Sequence, residues 1–415
     1  MRNYINYYPT QEKIKRSFSS RSWRQAILTA TARGEPMKIE QGQWTESGGW
    51  TAATRELAAT ADLVFVFGGT AAIGDRVKIA ELRSMYPRAH LMGCSTAGEI
   101  TGTRVSDGTI VFTAVHFERT RIQGHSIRLG GGVDSFEAGR RLAAALAPEG
   151  LVHAFVLSDG IQANGSELVR GLVSGLPAGV TVTGGLSGDG ALFKETRVIW
   201  NGGQPESGAV PILGLYGERL RVGYGSVGGW DSFGPERLVT ESTGNVLYHL
   251  NGESALDLYK KYLGKHAQGL PSTALLFPLA LRTRDGEASV VRTILSIDET
   301  AKSMTFAGDI PKGAYARFMK ANFDRLIDGA MDAARTSVRE PFPPSPDLAV
   351  LISCVGRKLI LGQRVEEEVE GVREILGEKT AMTGFYSYGE ISPFTPETRC
   401  ELHNQTMTVT TFTET

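Results

Sequence analysis

Three stretches of the chain repeat one order of apolar and polar positions. Residues 62–67, 151–157 and 348–354 are short apolar runs without polar alternation. Each is followed by helical spacing, over about 75–86, 165–176 and 363–376, and then by a second apolar run at 89–92, 180–183 and 380–383. Unalternated aliphatic runs predict strands buried on both faces, and strand, helix, strand predicts a parallel crossover. The second run of each unit meets a glycine-rich figure. It reads Gly93-Cys94-Ser95-Thr96-Ala97-Gly98-Glu99-Ile100 in the first unit and Gly184-Gly185-Leu186-Ser187-Gly188-Asp189 in the second. In the third it reads Gly384-Phe385-Tyr386-Ser387-Tyr388-Gly389-Glu390-Ile391. These figures fall at the carboxyl ends of predicted strands, the edge of an open α/β sheet where ligands settle.

Between the units the pattern predicts further strands and helices. Residues 108–117 and 121–129 read as two strands, and Gly130-Gly131-Gly132 breaks the chain before a helix over about 135–146, stopped by Pro148. Strand candidates follow at 195–200, 209–216 and 220–226, so antiparallel strands must extend the parallel pairs. An amphipathic helix is predicted over 254–263, a hairpin over 289–297 and 303–306, and a long helix over 314–336. The proline-rich stretch 341–346 predicts an extended connector, and 400–412 a terminal strand. The fold class expected is α/β, mixed β-sheets covered by helices with repeated β-α-β units. The expected division is a polar, basic leader over 1–36, an amino-terminal region over 37–250 and a carboxy-terminal region over 251–415.

Composition narrows the class. The 415 residues carry 44 Lys and Arg against 45 Asp and Glu, a net charge of −1, which excludes the basic footprint of a nucleic-acid binder. Three cysteines at wide spacing, Cys94, Cys354 and Cys400, form neither a disulfide framework nor a zinc pattern and point to a reducing cytoplasm. The leader lacks the apolar core of a secretory signal; its Arg-, Ser- and Thr-rich composition also allows a transit-type peptide, and Met37 is an alternative start.

The three figures, with Phe65-Val66-Phe67-Gly68-Gly69, Val156-Leu157-Ser158-Asp159-Gly160 and Glu401-Leu402-His403-Asn404-Gln405-Thr406-Met407, resemble the FIST family of sensory domain pairs from about residue 61 onward. The resemblance implies an amino-terminal and a carboxy-terminal FIST region that sense a small ligand, an amino acid or related metabolite, without catalysis. It also implies a haem-based nitric-oxide sensor as an alternative. No kinase, cyclase, chemoreceptor or F-box segment is read in the chain, so output is expected through a separate signalling protein such as a kinase or cyclase. An interaction scaffold without a ligand is the third reading.

An amino acid presents an ammonium and a carboxylate, and burying either without a partner is costly. Glu99, Asp189 and Glu390 are the candidate partners for the first; exposed backbone N–H groups and the hydroxyls of Ser95, Thr96, Ser187 and Ser387, with Arg104, are candidates for the second. The opposing reading is that these acids only cap turns. Asp159 closes another buried strand, and Tyr386 and Tyr388 present an aromatic face to either a pocket or the core. Asn164, three residues before Glu167, predicts a helix cap. His249 and His403 are the axial-ligand candidates under the haem alternative. Cys94 with His403 could imitate a thiol nucleophile and base, but nothing supplies an orienting third group. Residues 68–74 match neither phosphate-loop spacing, and no metal site is expected.

Overall fold

The computed structural model describes residues 37–52, 55–270, 272–282, 290–340, 342, 345–393 and 399–415. The expected leader, and Pro341, Pro343 and Pro344 of the connector, lie outside the described residues. Each predicted crossover forms. In the first sheet Leu63–Gly68 and His90–Ser95 run parallel, joined through the helices Thr70–Gly74 and Arg76–Met85. In the second Leu151–Ser158 and Thr181–Leu186 are joined through Gly165–Gly175. In the third Leu348–Cys354 and Ala381–Ser387 are joined through Val355–Leu361 and Val365–Leu376. An antiparallel strand lies beside the first strand of each pair: Ile110–His116, Ala209–Tyr216 and Met407–Glu414 respectively. Beyond it follow Lys38–Thr45 and then Gly49–Ala52 in the first sheet, Arg121–Arg128 in the second and Leu220–Val227 in the third.

The opposite edge of every sheet is completed by a neighbouring repeat. Glu99–Thr101 of the first repeat pairs with Ala381–Ser387 of the third. Gly389–Pro393 of the third pairs with Thr181–Leu186 of the second, and Val198–Trp200 of the second pairs with His90–Ser95 of the first. The exchange is cyclic, so the three six-stranded sheets close around a pseudo-threefold axis and protect one edge each.

Alternation along the central strands explains why they are apolar throughout. Phe65, Phe67, Phe155, Leu157, Val350, Ile352 and Phe385 point inward into one cluster shared by all three sheets. The Phe65 and Phe155 rings meet at 5.3 Å and the Phe67 and Phe385 rings at 4.8 Å. Val64 and Val66 point outward beneath the first repeat's helices, and Ala154, Val156, Ala349 and Leu351 beneath those of the other two. Glycine is required at Gly93, Gly184 and Gly384, where a Cβ would lie 1.9, 1.8 and 1.8 Å from the carbonyl oxygen of Val66, Val156 or Leu351 on the adjacent strand.

Residues 231–320 form a separate eight-stranded sheet with its own core of Leu247, Leu256, Tyr259, Phe306 and Phe318. The body therefore comprises residues 37–229 and 322–415, with this unit inserted; the expected boundary at 250 falls inside the insert, after two of its strands, Asp231–Thr243 and Val246–Leu250. The long helix predicted over 314–336 is corrected. Tyr315–Lys320 is a strand paired with Leu279–Arg282, and the helix Phe323–Ser337 starts only after the Asn322 cap. Residues 400–412 likewise split into Cys400–His403 and Met407–Glu414, which lie in different sheets.

The chain's two crossings between body and insert touch. Gly229, at φ +73°, packs so tightly that a Cβ would lie 1.9 Å from the Arg325 carbonyl oxygen. The fully buried Arg357 fastens both, donating to the carbonyls of Gly228 at 2.5 Å and Leu326 at 2.7 Å. Its charge is matched by buried Glu368 at 2.7 Å, whose other oxygen accepts from Tyr386 at 2.6 Å and Ser353 at 3.1 Å. Every strong donor and acceptor of this pair has a partner, the condition under which an ion pair survives burial.

Candidate functional site

The three glycine figures meet at the axis. Ala97 N–H donates to the Tyr386 carbonyl at 2.8 Å, Tyr388 N–H to that of Leu186 at 3.1 Å, and Gly188 N–H to that of Ser95 at 2.9 Å. The acids and hydroxyls offered there as ligand partners are buried in packed structure. Glu99 is buried and accepts from Thr96 Oγ1 at 2.5 Å and from the Thr109 N–H and hydroxyl at 3.0 and 2.8 Å. Glu390 repeats the arrangement with Ser387 Oγ at 2.5 Å and the Thr406 N–H and hydroxyl at 3.3 and 3.0 Å. Burial pushes the two carboxyls up to about 7 and about 8, against their hydroxyl and amide donors.

Asp189 sits one position earlier in its turn. It accepts from the N–H groups of Phe193, Lys194 and Glu195, each at 2.8 Å, and from the Tyr388 hydroxyl. Burial alone would raise its carboxyl; the Tyr388 hydroxyl and these N–H groups outweigh it and hold the group below its ordinary value. The turns thus converge, while their acids are directed into their own backbone and hydroxyls.

The other candidates divide. Ser95 Oγ accepts from Arg197 N–H at 2.9 Å, and Ser187 Oγ donates to the Ser158 carbonyl at 3.0 Å. Arg104 is 80% exposed on the outer edge, 3.4 Å from Glu366. Tyr386 is in the core on Glu368, and Tyr388 stacks on Phe193 at 4.3 Å. His249 lies on an insert strand, half-exposed, 2.6 Å from Glu241. His403 is buried, its Nε2 hydrogen-bonded to the Ser392 carbonyl at 2.7 Å, and burial pushes it down to about 4. Cys94 is buried in the shared aromatic cluster, and burial raises its thiol well above the usual range, the reverse of what a nucleophile needs.

A cleft of about 520 Å³ opens beside the second repeat, at the carboxyl end of Leu151–Ser158. It lies between the amino termini of two helices, Ser135–Ala145, capped by Asp134, and Gly165–Gly175, capped by Asn164 as expected. Leu129, Val133 and Phe136 supply apolar wall; Asp134, Ser135, Gln162, Asn164 and Glu167 supply polar groups. Asp159 shapes the rim from beneath: it is buried and accepts from Ile161 and Gln162 N–H at 2.8 and 2.7 Å and from Gly208 N–H at 2.9 Å. Asn164 also reaches the insert, its Nδ2 lying 3.4 Å from Asp309. Of the expected site residues only Asp159 touches this region, and the wall residues were missed. Their one signal was the triple glycine ahead of the Asp134 cap, which marks a break in the chain without showing what the break leaves open.

Repeated parallel crossovers in mixed sheets covered by helices place the fold in the α/β class, whose open sheets generally take ligands at the carboxyl ends of their strands. The FIST N domain model matches residues 62–253 and the FIST C domain model residues 255–393. The chain belongs to the FIST family, whose domains are associated with sensory signal transduction. The family boundary at 253–255 cuts through the inserted sheet, so it separates sequence regions rather than spatial bodies. Comparison with curated proteins gives no match. Among the described residues no helix is long and apolar enough to cross a membrane.

Proposed function

We propose that this protein is a non-catalytic sensor that binds a small polar metabolite, an amino acid or close relative, in the cleft of the second repeat and passes the signal to a separate partner. One observation carries the reading: the cleft combines an apolar wall with convergent amide and carboxylate groups at a strand's carboxyl end. Ligand held by Asn164 and Glu167 would alter the Asn164 contact with Asp309, and differential affinity for two settings of the insert is all that a switch requires.

Thermal-shift screening of the full chain against amino acids and related metabolites tests this. A ligand at about 100 times its Kd stabilises the folded chain by about 2.7 kcal/mol, and Gln162→Ala with Glu167→Gln should remove the shift. A shift that survives both substitutions, or none with any amino-acid-like compound at millimolar concentration, refutes the reading.

A further inference from the structure

We infer that the cleft of the second repeat selects ligands carrying an aromatic ring together with an amine, an aromatic amino acid or arylalkylamine. The inference rests on the reading of this cleft as the ligand site, and it comes from comparing the repeats. Ile127 pairs with Val210 in the second sheet as Val227 pairs with Met407 in the third. The residues ahead of those partners correspond too: Asp159 N–H bonds the Ala209 carbonyl and Cys354 N–H the Thr406 carbonyl. Gly208 at φ +74° and Gln405 at φ +63° then hold the same left-handed position. Counting three residues beyond Ile127 and Val227 places Gly130 opposite Trp230.

In the third repeat this place is filled. Trp230 is only 7% exposed, its Nε1 donates to the Gln405 carbonyl at 2.8 Å, and its ring packs in a cluster with Leu326, Ile360 and Leu361. In the second repeat Gly130 has no side chain, and a Cβ built on Gly130, Gly131 or Gly132 meets nothing within 4 Å. What remains is the cleft, bounded by Leu129, Val133 and Phe136, with Asp134 and Glu167 as its charged groups. A ring can stack on Phe136 and the apolar wall where the third repeat uses its own indole. The two carboxylates favour an ammonium on the same molecule, although Glu167 also pairs with Arg170.

Calorimetric titration of the full chain with L-tryptophan, tryptamine, L-leucine and L-arginine tests this. Tryptophan and tryptamine should bind, with leucine and arginine weaker by about tenfold or more. Phe136→Ala should weaken the aromatic ligands by about tenfold, Phe136→Leu by less, and Gln162→Trp, which projects a ring into the cleft, should block them. Leucine binding as tightly as tryptophan overturns the ring preference and leaves the cleft assignment standing. Aromatic binding that ignores both Phe136→Leu and Gln162→Trp overturns the location. If none of the four binds, the inference falls, and the sensor reading survives only through a different metabolite in the thermal screen.

Discussion

The second and third repeats share one backbone plan and differ in what stands between their helix amino termini. The second leaves Gly130-Gly131-Gly132 and an open cleft; the third sends the chain through Trp230 into a 90-residue insert, residues 231–320, and back. The third also adds the short helix Val355–Leu361, which supplies Ile360, Leu361 and Arg357 to close the space. One scaffold position thus serves as an opening in one copy and as the anchor of a second body in the other. The difference requires no change in sheet topology, because both occupy a loop outside the strands.

The largest effect should come from the anchor. Arg357→Met strands the buried Glu368 carboxylate and frees the Gly228 and Leu326 carbonyls, so stability should fall by about 3–5 kcal/mol, read from denaturant midpoints. A loss under 1 kcal/mol would show that the pair is not what joins the crossings. Trp230→Ala should come next, at about 3 kcal/mol, and should make the third repeat resemble the second. Hydrogen exchange should then accelerate in strand Asp231–Thr243 while the strands of the second repeat stay protected. Equal acceleration in both would contradict the comparison.

A graded effect of pH should follow from the buried acids. Folding raises Glu99 to about 7 and Glu390 to about 8 from an ordinary 4.5, so the folded state holds their protons more tightly than the unfolded chain. Their stabilisation is complete below about 4.5 and lost as pH rises through 7 and 8. His153 and His403, lowered by burial to about 3 and about 4 from 6.5, work in the opposite direction below pH 6.5. Between pH 6.5 and 8 the acids act alone, and denaturation midpoints should fall with rising pH. Glu390→Gln should flatten much of that slope, and an unchanged slope would remove the acids from the account. The smallest difference should lie in the helix caps. Asn164 accepts from Glu167 N–H at 3.1 Å, whereas Arg364, at the start of Val365–Leu376, makes no side-chain cap. Asn164→Ala should cost about 1 kcal/mol, and Arg364→Ala little by comparison, since the latter loses only partly exposed ion pairs.

Periodicity carried the parallel crossovers, because strands such as Leu63–Gly68, Leu151–Ser158 and Leu348–Cys354 are apolar on both faces whatever surrounds them. The repeated turn figure and the Asn164 cap were legible for the same reason: backbone geometry and local hydrogen bonding select glycine, hydroxyl and amide side chains within a few residues. Tyr315–Lys320 reads as helix from sequence since its side chains suit either state, and only pairing with Leu279–Arg282 on one side and Asp231–Thr243 on the other makes it a strand.

Amino-acid order alone determined three buried crossovers, each ending in an acid-bearing or hydroxyl-bearing turn. Only the tertiary structure decided where the acids point: Glu99 finds Thr109 and Glu390 finds Thr406, partners brought back by antiparallel strands that leave the repeat's own helix behind. It also decided which strands complete each sheet, since three-residue pieces such as Glu99–Thr101 and Val198–Trp200 have too little surface to select a partner before the bodies assemble. The cleft belongs to the same category. The triple glycine at 130–132 marks a break in the sequence, but that it leaves a space open emerges only when the pseudo-threefold axis sets Gly130 against Trp230.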